Sequence, residues 1–141
     1  MIRSGSAVWQ GDLREGSGTV STESGVVRGS PYSFRSRFES EPATNPEKLI
    51  AAAHAACFSM ALSLQLQMAG MKAERIETTA KVTLEKLEPG FTIAASHLSL
   101  AAKIPGADPE KFSKAAEAAK SGCVVSRLLN AAITMEAKLI S

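Results

Sequence analysis

Residues 45–70 read NPEKLIAAAHAACFSMALSLQLQMAG, and the rest of the chain is organised around this stretch. Asn45 supplies a side-chain cap, Pro46 suits the first helical position, and Glu47 suits the positive end of the helix dipole. Gly70 can take the left-handed conformation that ends a helix, so one helix is expected to run as far as Ala69. Its apolar residues lie nearly all round, which predicts burial on most sides. One domain of 141 residues has difficulty surrounding such a helix, and a partner subunit is the simplest cover. Leu49 to Met71 is apolar enough to invite a membrane-spanning reading, but His54, Ser59, Ser63, Gln65 and Gln67 interrupt it. Burying those groups in lipid is costly, so a core helix of a soluble fold is expected.

Before the helix, Ala7 to Trp9 reads as a short first strand. Gly25 to Arg28 and Tyr32 to Phe38 read as the strands of a hairpin about Gly29-Ser30-Pro31. On the second, Tyr32, Phe34, Ser36 and Phe38 share one face, so Arg35 and Arg37 point away from the core. After the helix, Ile76 to Leu87 alternates cleanly, and Glu88-Pro89-Gly90 turns the chain into Phe91 to Lys103. The alternation of that run slips near Ser96, which predicts a bulge there. Asp108-Pro109 opens a second helix that Gly122 interrupts, Cys123 to Leu129 forms a further helical segment, and Ile133 to Leu139 alternates as a closing strand. The order gives a single α+β domain over residues 1–141 with an antiparallel sheet.

Composition narrows the function. Sixteen Lys and Arg against fourteen Asp and Glu leave a net charge of +2, and the bases are spread along the chain. With aromatic residues at 5%, neither a basic stripe nor a base-stacking platform is present, so no nucleic-acid partner is expected. The first dozen residues, MIRSGSAVWQGD, lack the apolar core of a secretory signal, so a cytoplasmic protein without a membrane partner is expected. Structural disulfides are rare in that compartment, and the two cysteines read as reactive thiols or as buried core.

The thiols are Cys57, midway along the long helix, and Cys123, directly after Gly122. Each is small enough to serve as a core hydrophobe. A zinc site is a competing reading, because His54 and Cys57 share a helix face and His97 and Cys123 complete a set of four. The paired spacing typical of zinc ligands is missing, and His54 is better read as a polar group satisfied beside the helix. No G-x-S-x-G, phosphate loop or dinucleotide glycine pattern occurs.

Several segments together resemble the OsmC/Ohr family: WQGDL, GTVSTESGV, PYSFRSRFE, TNPEKLIAAAHAACFSMALS and SGCVVS. The likeness runs nearly end to end and is strongest to the OsmC branch. It implies an α+β fold in which an antiparallel sheet wraps a long buried central helix, in an intertwined homodimer with its sites at the subunit interface. It implies a thiol peroxidase that reduces organic hydroperoxides and, less well, hydrogen peroxide. Carried over residue by residue, Cys57 is the peroxidatic thiol and Cys123 the resolving thiol. Glu47 is the acid of the NPE motif and Arg37 the arginine before the helix, with Arg35 as its substitute. Val124 stands where members of the family often have proline, which bears on the mobility of the loop around Cys123. No metal or organic cofactor is implied, and recycling falls to a dithiol, with lipoylated proteins as the family precedent.

The chemistry suits those roles. Only a thiolate attacks a peroxide, and burial in an apolar helix raises a thiol pKa, so a nearby cation is needed. Arg37 is the best candidate, with Glu47 holding its guanidinium through a bidentate pair. Glu47 and Cys57 lie about 15 Å apart along a straight helix, too far to touch one small substrate. An antiparallel helix pairing in a dimer would bring Glu47 of one chain towards Cys57 of the other, which predicts composite sites. The apolar residues Leu49, Ile50, Phe58, Met60 and Leu64 read as core and dimer contacts, and some, with Phe34 or Phe38, as the lining of a pocket for an alkyl hydroperoxide. The alternative function is a non-catalytic dimer that binds an apolar small molecule and keeps both cysteines as inert core.

Overall fold

The computed structural model describes residues 1–140, which form two compact units, the first Met1–Leu49 and the second beginning at Ile50. In the first, strands β1 (Gly5–Gln10), β2 (Ser17–Thr22) and β3 (Ser30–Tyr32) form an antiparallel sheet in that order. Gly18 pairs with Trp9 on one side and Tyr32 on the other, and the two rings meet over it with centroids 5.5 Å apart. A Cβ at Gly18 would lie 2.7 Å from both rings, so this close approach requires glycine.

The expected hairpin is replaced. Gly25 to Arg28 forms no strand, and most of Tyr32 to Phe38 is helix α1 (Phe34–Phe38). Ser33 caps it: its hydroxyl accepts from the Ser36 N–H, and the Ser36 hydroxyl accepts from the Ser33 N–H. Phe34 and Phe38 satisfy a period of two and an i,i+4 helical spacing equally well, and the reciprocal cap decides for the helix. Arg35 and Arg37 consequently do not share a face, being two residues apart on a helix.

Helix α2 (Pro46–Met68) begins and ends as its sequence predicts. The Asn45 side chain accepts from the Lys48 N–H at 2.8 Å, and Gly70 has φ +77°. The boundary between the units falls within this helix.

The second unit contains the rest of α2, then β4 (Arg75–Lys86), β5 (Phe91–Lys103), α3 (Pro109–Gly122), α4 (Val124–Leu128) and β6 (Ala132–Ile140). β4 and β5 are antiparallel, but β6 lies parallel to β5, so this sheet is mixed rather than antiparallel throughout. The cause is the helical crossover of α3 and α4, which returns the chain to the same end of the sheet. The register shift falls beside Ala94, since Thr83 pairs with Ala95 and Leu84 with Ile93. Ser96 stays in register and faces the core, alternating with Leu98, Leu100 and Ala102.

The core packs Phe58, Leu62 and Leu66 of α2 with those β5 residues and with Phe112, Ala115, Ala116 and Ala119 of α3. α2 is long and apolar enough to cross a membrane by length and composition, but its His54, Phe58, Leu62 and Leu66 stripe is seated in this folded core. Its opposite face is open in the single chain, with Met60 79%, Leu64 55% and Met68 72% exposed. Burial on most sides, expected from the all-round apolar pattern, is thus reached along one stripe only.

Candidate active site

The four residues singled out from the sequence fall into two pairs. The first pair lies in the first unit. α1 carries Arg37, and the Asn45 amide donates to the Ser36 carbonyl at 2.7 Å while Asn45 also caps α2, so one side chain ties the two helix ends together. Arg37 thereby reaches Glu47 in the first turn of α2. Its Nε and Nη2 donate to Glu47 Oε1 at 3.1 and 2.9 Å. Both bonds go to one oxygen, so the expected fork-to-fork pair is not formed. Glu47 Oε2 is buried and has no hydrogen-bond partner among the described residues. Arg35 is exposed and makes no ion pair among the described residues.

Beside Arg37 lies a cavity of about 270 Å³ lined mainly by Trp9, Leu13, Tyr32, Phe34 and Phe38. The guanidinium of Arg14 stacks over the Phe34 ring at 4.6 Å. An apolar pocket with one guanidinium at its wall suits a ligand with a hydrocarbon body and a polar end.

The second pair lies in the second unit. Cys57 is half-buried on α2, and Cys123 is 1% exposed at the joint between α3 and α4. Both thiols are free, and the Cys123 sulfur donates a hydrogen bond to the Cys57 sulfur at 2.8 Å. A disulfide needs about 2.05 Å, so a small approach would close it. Burial pushes the Cys123 thiol up from its ordinary value, and the contact with Cys57 adds to the rise. The N–H groups of Ser126 and Val125 at the start of α4, and the Ser126 side chain, pull the other way.

His54 is fully buried one turn before Cys57. Its Nδ1 meets the Ser96 hydroxyl and its Nε2 the Ser126 hydroxyl, each at 2.7 Å. Burial holds its pKa below the ordinary histidine value. The zinc set is not assembled, and no group of three potential metal ligands occurs among the described residues. His97 points to the other face of β5, where its Nδ1 meets Thr134 Oγ1 at 2.6 Å. Sequence reasoning passed over Ser96 and Ser126. A serine in the buried register of β5, and another three residues after Cys123, were the available signals.

The apolar residues of the long helix also separate. Phe58 is core, Met60 and Leu64 are exposed, and Leu49 lines a small cavity of about 170 Å³ with Val20, Tyr32 and Thr44.

The OsmC-like protein family model matches residues 38–138. Peroxiredoxin OsmC of Escherichia coli (strain K12) is 51% identical over 139 residues, which are 99% of this chain and 97% of that protein. Among solved structures, the organic hydroperoxide resistance protein OhrB of Bacillus subtilis is similar with a TM-score of 0.70 and 25% identity, over 96% of this chain and 98% of that one. An organic hydroperoxide resistance protein from Elizabethkingia anophelis is similar with a TM-score of 0.71 and 26% identity, over 100% and 98% of the two chains.

Proposed function

The chain belongs to the OsmC family, and on that premise we propose that it is a cysteine-based peroxidase reducing organic hydroperoxides and, less well, hydrogen peroxide. The observation that carries this reading is the 2.8 Å approach of two free thiols from positions 66 residues apart in the chain. In the first step the Cys57 thiolate attacks the O–O bond. One oxygen stays on sulfur as a sulfenic acid, and the other leaves as an alkoxide that takes a proton to become the alcohol. In the second step Cys123 attacks the Cys57 sulfur, water leaves, and the Cys57–Cys123 disulfide forms. A dithiol, such as a lipoylated protein, then reduces that disulfide by exchange. The cycle draws on no metal and no organic cofactor.

Arg37 is the cation proposed to stabilise the Cys57 thiolate and the polar end of the peroxide, with Glu47 orienting the guanidinium. The cavity beside Arg37 offers room for the alkyl group. The protein acts as a homodimer whose sites draw Arg37 and Glu47 from one subunit and the two cysteines from the other. The exposed Met60, Leu64 and Met68 on α2 support this. Both compact units serve one catalytic domain, since the family match runs across their boundary. The cytoplasm is its place of action.

The test is consumption of cumene hydroperoxide with dihydrolipoamide or dithiothreitol. Wild type is expected to turn over, and Cys57→Ser to lose all activity. A wild type that fails to turn over while both thiols stay free supports the ligand-binding dimer instead.

A further inference from the structure

Two side-chain contacts join the same pair of helical stretches. His54 and Cys57 lie three residues apart on α2, and Cys123 and Ser126 lie three residues apart where α4 begins. At that spacing each pair shares one helix face. His54 Nε2 meets Ser126 Oγ at 2.7 Å, and the two sulfurs meet at 2.8 Å. The contacts run 54 to 126 and 57 to 123, as neighbouring rungs of one antiparallel ladder. On the far side of the ring, His54 Nδ1 meets Ser96 Oγ at 2.7 Å, which fixes the imidazole to β5. A neutral imidazole has one N–H and one acceptor nitrogen, so one hydroxyl accepts from the ring and the other donates to it. Both nitrogens of a fully buried residue are thereby satisfied.

α4 has little else to hold it. It is five residues long, and Cys123 at its start supplies no side-chain cap. Val124 and Leu128 are exposed in the single chain, Val125 is half-buried, and Ser126 is the buried residue. So short a helix does not persist by itself, and its place depends on its anchor. Cys123 is the joint between the helices. Its N–H donates to the Ala119 carbonyl of α3 at 2.9 Å, and its carbonyl accepts from the Arg127 N–H at 3.0 Å. The direction in which its sulfur leaves the backbone therefore follows the placement of α4.

We infer that the Ser96–His54–Ser126 bridge holds α4 against α2 and β5, and so keeps the Cys123 sulfur in bonding reach of Cys57. Its use in the resolving step rests on the peroxidase reading above. The three are positioning residues, with no part as nucleophile, acid or base. The bridge limits the freedom that the two sulfurs lose on bonding, which raises their effective concentration. The disulfide is then favoured at equilibrium, and it also forms faster from the Cys57 sulfenic acid. In that step the S–S bond forms as the Cys57 S–O bond breaks. The Cys57 sulfur is reduced, the Cys123 sulfur is oxidised, and the leaving hydroxide with the thiol proton makes water.

The experiment is equilibration of the full chain with mixtures of reduced and oxidised glutathione. There the protein dithiol and one oxidised glutathione give the protein disulfide and two reduced glutathiones, and intact mass gives the disulfide fraction. Ser126→Ala is expected to lower the equilibrium constant about tenfold, which is about 30 mV towards the oxidising side for a two-electron couple. Single-turnover oxidation by cumene hydroperoxide is expected to show disulfide formation slowed by about the same factor, with loss of the Cys57 thiol changed by no more than about twofold. Ser126→Thr, which keeps the hydroxyl, is expected to restore both. Ser96→Ala, which frees the ring but leaves its bond to Ser126, is expected to shift the constant the same way by a smaller factor. Leu62→Ala weakens the core without removing a rung, and is expected to leave the constant within about twofold. An unchanged constant in Ser126→Ala, or an equal shift in Leu62→Ala, overturns the bridge and leaves the peroxidase reading intact. A wild type that consumes no cumene hydroperoxide overturns the peroxidase reading, while the glutathione equilibrium still decides the bridge.

Discussion

At Glu47 one carboxylate oxygen accepts two bonds from Arg37 and the other accepts none among the described residues. If this pair holds a cation against the Cys57 thiolate, Arg37→Ala should slow the first step about tenfold or more near neutral pH. Stopped-flow loss of the Cys57 thiol after mixing with cumene hydroperoxide checks it, and an unchanged rate contradicts the role. His54 makes a second prediction, this time about stability. Its folded pKa lies below the unfolded value of 6.5, so below that pH the unfolded chain binds more protons than the native one. The stability from keeping the ring neutral is full above pH 6.5 and is lost as pH falls through 6.5 towards the folded value. His54→Gln should therefore flatten the fall of Tm with pH in this window. At this scale the sequence was partly legible. A satisfied His54 was expected, but its partners lie 42 and 72 residues away, and no local pattern points across such distances. The two thiols stood out by type, whereas Arg37 and Glu47 gained their roles only through the family resemblance.

Among the elements, α1 rests on the exchange between Ser33 and Ser36, so Ser33→Ala should cost about 1 kcal/mol and lower Tm by a few degrees in thermal denaturation. The same cap explains why a strand was expected over Tyr32 to Phe38. Aromatic residues four apart serve both periods, and a serine pair reads as polar filler until its bonds are seen. The second helix was legible because cap, proline and terminal glycine all agree. The parallel β6 was not, because strand direction depends on where a crossover lands rather than on alternation. Ser96 was read as a slip in the strand pattern, yet it is a core position occupied by a hydroxyl for His54. In the core itself, Leu62 is fully buried, and Leu62→Ala should destabilise by about 2–5 kcal/mol in chemical denaturation.

For the molecule as a whole, the central proposal is a site shared between two subunits. α2 leaves Met60, Leu64 and Met68 exposed, and Leu64→Glu with Met60→Glu should yield a monomer by sedimentation that has lost most of its peroxidase rate. Complementation separates a shared site from mere loss of stability. Alone, Arg37→Ala should be slowed about tenfold or more and Cys57→Ser should be inactive, and mixed dimers of the two should recover up to half the wild-type rate, since one of the two sites then holds an intact set. No recovery in verified mixed dimers would place each site within one chain.

The most direct test of the chemistry is the intact mass of the reduced protein after one equivalent of cumene hydroperoxide. Wild type should lose two hydrogen atoms, with a Cys57–Cys123 peptide pair after digestion, and Cys123→Ser should instead gain one oxygen atom on Cys57. An unchanged wild-type mass with both thiols free, or oxidation first at Cys123, would contradict the account.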